Sequence, residues 1–381
     1  MITCRSADGA IKADHGVVCS FPSDTFGYFG WPTVARLEDG TLAIAASGMR
    51  NAHVCPFGKS VLCFSSDNGA SWTSPSIIND SPADDRDTGI VSPGGDTLIL
   101  SWFSIDSRFY YPPSEVEGWP DAEKKELLLS GLRKQSDAAM GRWCGKWIRV
   151  SRDRGETWGQ PVEVGISSPH GPIVEADGSV FYFGKGNVDG ADYPGMRYGP
   201  IQAARSRDEG ATWHTLGNVP CITGTDESNY YEPHVAELAP GRLLGLIRFQ
   251  NSPDSHKLQE LGFTPFSIVQ TVSLDGGISW TTPEPLEFHG SPPHVLKHSS
   301  GILVCTYGYR KQPYGQRIML SEDDGASWTF DYILRDDGPD DDLGYPSSVE
   351  LEDGSLITAY YQKINSADEK CSLLWSRWYL P

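Results

Sequence analysis

The sequence predicts an all-β fold, a six-bladed β-propeller that carries a helical insertion in its second blade. Three observations predict it. An eight-residue pattern, SxDxGxxW, occurs five times, and six other segments each contain two apolar runs separated by a Gly-containing turn. The 381 residues also include 41 Gly, 27 Pro and 12 Trp, a composition typical of many short strands joined by tight turns.

The five copies of SxDxGxxW, here called the boxes, are predicted to fasten hairpins. In each box the Asp can accept hydrogen bonds from its own turn, the Gly can adopt a positive φ, and the Trp can pack against a neighbouring sheet. We therefore interpret the boxes as scaffold and expect the chemistry elsewhere. They are SSDNGASW from residue 65, SRDRGETW from 151, SRDEGATW from 206, SLDGGISW from 273 and SEDDGASW from 321.

The six strand–turn–strand segments are each predicted to form the inner strands of one blade. The C-terminal segment SLLWSRWYL is expected to pair with an N-terminal strand around GVVCSF and to close the ring. The prediction is therefore a single propeller domain over residues 1–381. The segments span residues 30–47, 85–103, 168–184, 232–248, 291–308 and 344–361.

One insertion, at about residues 104–145, interrupts the repeat. It begins with an aromatic, Pro-rich stretch and continues as DAEKKELLLSGLRKQSDAAM, which has the composition of a helix with Asp121 as its N-cap. We expect a helical excursion on the rim of blade two. It could cover the substrate entrance or make a homo-oligomer contact.

Composition limits the class of partner. A formal charge of −19 argues against nucleic acid or an anionic membrane, since both require a basic surface. The eight Cys include no CxxC pair, and nothing indicates a metal site or a cofactor. The first residues have no apolar signal-peptide region, so the expectation is a cytoplasmic protein.

The residues that open the six segments are candidates for a functional site. In a propeller the innermost strand of each blade begins at one mouth of the central channel, so these residues should form a ring there. They are Trp31, Arg86, Asp87, His170, Glu232, His234, His294 and Tyr345.

The boxes, the sixfold repeat and two of the segments resemble the sialidase (neuraminidase) superfamily. The segment YEPHVAELAPGRLLGLIR resembles the family stretch in which a Glu precedes a strand pair ending in an Arg, which implies Glu232 and Arg248. The segment GYPSSVELEDGSLITAYY resembles the stretch with the nucleophilic Tyr, which implies Tyr345. A further family Arg could be Arg310 or Arg317, and we prefer Arg310 because Arg317 lies close to the box strand.

This resemblance implies an exo-acting glycoside hydrolase that cleaves a terminal sialic acid or a related acidic sugar. Sialic acids carry a carboxylate on the anomeric carbon, so a carboxylate nucleophile would meet a like charge. A phenol deprotonated by a neighbouring Glu avoids this repulsion. Arg side chains suit the substrate carboxylate because the planar guanidinium binds it bidentately.

Two positions depart from the family pattern. Gly30 stands where the family has an Arg before the first blade's Pro, so another acidic sugar or a different glycone could be the substrate. The first-blade loop MRNAHVCPFGKSV contains no carboxylate to serve as the family's acid. We assign that role to Asp87 from its place in the repeat, with Asp85 as the weaker candidate. Aromatic side chains such as Trp31 around it could raise its pKa.

Two other functions fit the same residues. A propeller polysaccharide lyase would use Tyr345 with one of the three channel histidines, His170, His234 or His294, on a uronic acid. A non-catalytic propeller would only bind a carbohydrate. The sequence thus predicts catalytic roles for Tyr345, Glu232 and Asp87. The predicted substrate-binding residues are Arg248, Arg310, Arg86, Trp31, His53, His170, His234 and His294.

Overall fold

Six sheets contain all the strands of the computed structural model, which describes residues 2–7, 9–187, 199–252 and 257–381. Two strands precede the first blade: β1 (Thr3–Ser6) and β2 (Ala13–Cys19). Blade one contains β3 (Tyr28–Arg36), β4 (Leu42–Arg50), β5 (Lys59–Ser65) and β6 (Ser76–Asn79). Blade two contains β7 (Asp84–Gly94), β8 (Thr97–Ile105), β9 (Gly145–Ser151) and β10 (Val162–Glu163).

The other four blades follow in chain order. Blade three contains β11 (Ile173–Val174), β12 (Val180–Lys185), β13 (Ile201–Ser206) and β14 (His214–Asn218). Blade four contains β15 (Tyr230–Ala239), β16 (Arg242–Phe249), β17 (Ser267–Ser273) and β18 (Glu284–Pro285). Blade five contains β19 (Pro293–Lys297), β20 (Leu303–Tyr309), β21 (Tyr314–Ser321) and β22 (Ser327–Gly338). Blade six contains β23 (Gly344–Glu350), β24 (Leu356–Gln362) and β25 (Ser372–Trp378).

In each blade the strands pair in chain order. The first strands of adjoining blades contact one another around the axis, and between blades three and four β15 contacts β12. The ring closes as the sequence predicts, because β2 is the fourth strand of blade six. It pairs antiparallel to β25, from Ala13 opposite Trp378 to Cys19 opposite Leu373. The strand β1, which the sequence does not signal, runs parallel to β22 and adds a fifth strand to blade five. The N-terminal segment therefore joins blades five and six.

Three short helices, α1 (Pro113–Val116), α2 (Ala122–Leu132) and α3 (Asp137–Trp143), lie between β8 and β9 in the chain. Asp121 caps α2 as predicted, since its side chain accepts hydrogen bonds from the first backbone N–H groups of that helix. The Tyr111 hydroxyl donates to the Val54 carbonyl oxygen at 3.2 Å and so ties this segment to blade one. The 3₁₀ helices span Ser107–Phe109, Glu227–Asn229 and Leu258–Leu261.

The described part of the chain contains no helix that is both long enough and apolar enough to cross a membrane.

The boxes fasten hairpins in the structure. The Asp208 carboxylate accepts from the Ser206 hydroxyl at 2.8 Å and from the Thr212 backbone N–H at 2.8 Å and hydroxyl at 2.6 Å. These hydrogen bonds, those from Thr212 first, lower the pKa of Asp208 to about 2. The other four boxes repeat the bonds to the Asp from the residues two before and four after it.

Each box Trp packs into the apolar core between its own blade and the preceding blade. For example, Trp158 of blade two packs beside Leu62 and Leu100, which belong to blades one and two. The repeat therefore supplies both a turn and an anchor at five of the blade interfaces. These Trp residues are Trp72, Trp158, Trp213, Trp280 and Trp328.

Replacing Asp208 by Ala is expected to lower the free energy of unfolding by about 1–2 kcal/mol, because the turn loses its hydrogen-bond acceptor. Thermal unfolding would measure this loss, with Arg207→Ala, an exposed neighbour, as the control. Turnover per folded molecule should be unchanged in both variants. A D208A protein of normal stability and lost activity would contradict the scaffold role.

Candidate active site

A cavity of about 630 Å³ opens where the inner strands begin, and residues from all six blades line it. Eight of the predicted site residues lie on its wall. The three channel histidines, Asp85 and Arg317 do not line it. The eight are Trp31, His53, Arg86, Asp87, Glu232, Arg248, Arg310 and Tyr345.

In four blades the same backbone conformation places a side chain at this cavity. Trp31, Asp87, Glu232 and Tyr345 have φ values of 54°, 50°, 41° and 51°, in the left-handed region that non-Gly residues rarely adopt. At each of these positions the inner strand has one residue more than its partner strand, which is a β-bulge. Such backbone costs of order 1–3 kcal/mol per residue, so the surrounding sheets must hold it in place.

Tyr345, Glu232 and Arg248 form a hydrogen-bonded triad. The Tyr345 hydroxyl donates to Glu232 Oε1 at 2.5 Å. Arg248 Nη1 donates to Glu232 Oε2 at 2.5 Å and to the Tyr345 oxygen at 3.1 Å. Burial and the Glu232 charge raise the pKa of Tyr345 well above its usual value. The resting phenol is therefore protonated, and a Glu232 oxygen is placed to accept its proton.

A second guanidinium group, that of Arg310, lies beside this triad, with its Cζ atom 5.8 Å from the centroid of the Tyr345 ring. Arg248 and Arg310 place their Cζ atoms 4.7 Å and 5.4 Å from the centroid of the Phe266 ring, within cation–π distance. Arg248 Nε also donates to Gln250 Oε1 at 2.8 Å, and Arg310 Nε donates to the Leu343 carbonyl oxygen at 3.1 Å. These contacts hold both groups at the cavity, where together they can bind a carboxylate.

Arg317, the alternative to Arg310, points elsewhere. Its guanidinium donates to the carbonyl oxygens of Pro313 and Arg335 and forms an ion pair with Asp331 at 3.3 Å. The structure therefore brings Arg310 to the cavity and uses Arg317 inside blade five.

The Asp87 carboxyl group is buried in the cavity wall, and its Oδ1 atom has no hydrogen-bond partner among the described residues. Burial raises the pKa of Asp87 to about 7, and the Glu232 charge adds to this against the opposing effect of Arg86. A carboxyl group with such a pKa is protonated for part of the time at neutral pH, as a general acid requires.

Asp85, the weaker candidate for the acid, is held inside blade two. Its carboxylate accepts from Asn79 Nδ2 at 2.7 Å, from Ser104 Oγ at 2.6 Å, and from the backbone N–H and hydroxyl of Ser81 at 2.9 Å and 2.7 Å. This set of donors gives Asp85 a structural place away from the cavity.

Aromatic side chains lie where the family pattern would place an Arg at Gly30. A Cβ atom at Gly30 would come within 3.3 Å of the Tyr28 ring and 3.6 Å of the Tyr361 ring. The Tyr28 hydroxyl donates to Asp342 Oδ1 at 2.9 Å, and His53 Nδ1 lies 3.2 Å from the same oxygen. Aromatic rings of blades one and six and the Asp342 carboxylate, which precedes blade six in the chain, therefore lie here in place of a cation.

The sequence gives a faint signal for Asp342, which lies in an acidic run shortly before Tyr345. Burial raises the pKa of Asp342, but hydrogen bonds from His53, Tyr28 and Cys371 outweigh burial and hold this pKa at about 2. Asp342 is therefore ionised. It was not among the predicted site residues.

The three channel histidines pack against one another beneath the cavity. The rings of His234 and His294 stack with centroids 4.2 Å apart, and the His170 ring lies 5.1 Å from His294 and 6.3 Å from Tyr345. All three are buried, and burial lowers their pKa values, that of His234 to about 4. They are neutral and pack below the cavity wall. The prediction that they lie at the mouth of the channel and bind substrate is therefore not met.

This cluster predicts a pH-dependent stability. As the pH falls from 6.5 to about 4, His234 protonates in the unfolded chain but not in the folded one, so the free energy of unfolding decreases. The loss is about 3 kcal/mol, since each pKa unit corresponds to about 1.4 kcal/mol. Thermal unfolding across this pH range should show a smaller fall in His234→Gln than in wild type.

His214→Gln, a change at an exposed His, is the control for that experiment and should follow wild type. Equal falls in the wild type and in H234Q would contradict a neutral buried His234.

Sequence reasoning missed two lysines on the cavity wall. Lys146 lies on β9 and Lys185 ends β12, so neither occupies the head of an inner strand, where the candidates were sought. Their only signal is a basic residue beside Gly in CGKW and FGKG.

Comparisons with known proteins agree with this architecture. The family model described as BNR repeat-like domain matches residues 134–358, more than half of the chain. Comparison with curated proteins gave no match. A crystal structure of a protein of unknown function from Dyadobacter fermentans superposes with a TM-score of 0.72 at 20% identity, covering 98% of this chain and 100% of that one.

Two sialidases are similar in fold. The Hadza microbial sialidase Hz136 superposes with a TM-score of 0.65 at 14% identity, over 96% of this chain and 68% of that one. Trypanosoma rangeli sialidase, solved with 2,3-difluorosialic acid as a covalent intermediate, gives 0.61 at 15% identity, over 97% of this chain and 59% of that one. At such identities the likeness establishes the fold. With its five boxes and six blades, the chain belongs to the BNR repeat-like domain family.

Proposed function

We propose that the protein is an exo-acting glycoside hydrolase of sialidase type, which removes a terminal sialic acid or a related acidic sugar. The observation that carries the proposal is the 2.5 Å hydrogen bond from the Tyr345 hydroxyl to Glu232, with Arg248 bonded to both groups. A phenol, its base and a cation thus meet in one cavity, as this chemistry requires.

The charge of the cavity supports an acidic substrate. Three arginines and two lysines line it in a protein whose formal charge is −19, and burial lowers the pKa values of the two lysines to about 7. Of the three acidic side chains on the same wall, Glu232 is paired with Arg248, Asp87 has a raised pKa, and Glu163 is the third. A net positive cavity in an acidic protein favours an anionic ligand. The five are Arg86, Lys146, Lys185, Arg248 and Arg310.

In the proposed mechanism the substrate carboxylate binds Arg248 and Arg310. The Tyr345 oxygen attacks the anomeric carbon while its proton passes to Glu232. The bond from that carbon to the leaving oxygen breaks, and Asp87 gives this oxygen a proton. Asp87 then removes a proton from the water that attacks the Tyr345 glycoside, and Glu232 returns its proton to the phenol. Two displacements give net retention.

The helical segment between β8 and β9 contributes to the proposed substrate entrance. Tyr110, which follows a short 3₁₀ helix, and Cys144, which precedes β9, both line the cavity. We propose that this insertion in blade two shapes the opening through which the substrate passes.

Polysaccharide elimination fits this geometry less well. A lyase would need a base and an acid that both reach the substrate, yet the three channel histidines lie below the cavity wall. Tyr345 would have to act without the His partner assigned to it.

A panel of aryl glycosides tests the proposal, with sialic acid, related keto-acids, uronic acids and neutral sugars as glycones. We expect turnover of the sialic acid or keto-acid glycosides. Turnover of neutral sugars alone would overturn the acidic-substrate proposal, and an unsaturated product absorbing in the near ultraviolet would identify a lyase. No turnover of any glycoside, with binding retained, would identify a non-catalytic propeller.

A further inference from the structure

Lys146 and Lys185 line the same cavity from blades two and three. Lys146 Nζ donates to the Lys185 carbonyl oxygen at 2.7 Å and to the Gly165 carbonyl oxygen at 3.5 Å. Lys185 Nζ donates to the Tyr230 carbonyl oxygen at 2.6 Å and lies 5.4 Å from the Tyr231 ring. Backbone carbonyl oxygens therefore accept hydrogen bonds from both lysine amino groups, and burial lowers the pKa of Lys185 to about 7.

Lys146 has no carboxylate within ion-pair distance among the described residues. Burial, with the charge of Lys185 adding to it, lowers the pKa of Lys146 to about 7, and Glu163, which also lines the cavity, opposes this. A cation that is desolvated without an ion-pair partner is costly in the empty site. A bound anion would remove that cost.

The two lysines and the guanidinium pair come from different blades. Arg248 and Arg310 belong to blades four and five, whereas Lys146 and Lys185 belong to blades two and three. Asp87, at the head of blade two, lines the same cavity. A substrate whose carboxylate bound the Arg pair would thus meet a second pair of basic side chains, contributed by other blades.

We propose that Lys146, with Lys185 beside it, forms a second anion-binding site in the cavity, so that the substrate is a doubly acidic glycoside. This inference rests on the proposed function, which supplies the first acidic group. The second group is a carboxylate or sulfate, carried either by the glycone or by the sugar that leaves.

Kinetics of Lys146→Met test the site. The substrates are an aryl sialoside, the same sialoside sulfated on a distal hydroxyl, and a disaccharide in which sialic acid is linked to a uronic acid. We expect K146M to raise KM about 10-fold or more for one of the two doubly acidic substrates, since the variant loses a charge-assisted hydrogen bond to the second acid. The KM of the singly acidic sialoside should change less than about 2-fold.

The affected substrate identifies the source of the second acid: the sulfated sialoside indicates the glycone, and the disaccharide indicates the leaving sugar. Lys146→Arg should restore most of the loss, and Lys124→Met, at an exposed Lys outside the cavity, should behave as wild type. Equal KM changes for all three substrates, or none, would overturn the proposal.

A second readout does not depend on activity. Acetic anhydride at pH 7 should acetylate Lys146, and sodium sulfate should protect it several-fold by binding at the ammonium group, with Lys124 unaffected. Peptide mass spectrometry would measure both. Unchanged acetylation of Lys146 in sulfate would reject the anion site even if sialosides are hydrolysed, whereas protection without any hydrolysis would reject only the proposed function.

Discussion

Tyr345→Phe is expected to reduce sialoside turnover by about 10⁴-fold or more, because it removes the attacking oxygen and nothing else. The Phe ring keeps the packing against Trp31 and Tyr361, and the ion pair between Glu232 and Arg248 does not need the hydroxyl. Steady-state kinetics at saturating substrate would measure the loss, and thermal unfolding would establish that the variant is folded.

Tyr360→Phe is the matched control. Tyr360 is also fully buried, but its hydroxyl contacts Ser376 and Arg335, away from the cavity. This variant should keep its turnover. A Y345F protein with more than a tenth of wild-type activity would exclude Tyr345 as the nucleophile.

Asp87→Asn is expected to affect substrates according to their leaving group. A sugar leaving group needs a proton, so kcat/KM should fall by about 10²–10⁴-fold. An activated aryl group needs little protonation, so that substrate should lose less than about 10-fold. Equal losses on both substrates would give Asp87 a binding or structural role.

The same residue predicts the basic side of the pH profile. Burial raises the pKa of Asp87 to about 7, so its protonated fraction, and with it turnover of a poor leaving group, should fall as the pH rises through this value. D87N should lack this dependence. Glu163→Gln, which changes another carboxyl group of the cavity wall, should retain it. If E163Q lost this pH dependence and D87N kept it, Glu163 and not Asp87 would be the acid.

The fold was predictable because its signals repeat. Five boxes and six strand pairs place the blades, and the C-terminal strand needs the N-terminal one to complete blade six. The strand β1 was not predictable, because the four residues TCRS are mostly exposed and have no apolar alternation. It pairs with β22 of blade five, and no local sequence pattern encodes such a long-range contact.

The catalytic candidates were predictable for the same reason, because bulged residues at equal places in four blades meet at one mouth. The same argument assigned His170, His234 and His294 to that ring, because it takes no account of how deep in the channel each side chain lies. His234 lies two residues after Glu232, beyond the bulge in β15, and its ring packs in the buried cluster beneath the cavity. Lys146 and Lys185 reach the cavity from strand positions that the repeat does not single out.

Covalent trapping tests the central claim most directly. Incubation with 2,3-difluorosialic acid, followed by intact-mass analysis and peptide mapping, should reveal one glycosyl adduct on the peptide that contains Tyr345. The adduct should be absent in Y345F and should form more slowly in Glu232→Gln, because the phenol then lacks its base. Hydrolysis of sialosides with inversion and without any adduct, or an adduct on another residue, would contradict Tyr345 as the nucleophile and the sialidase-type mechanism with it.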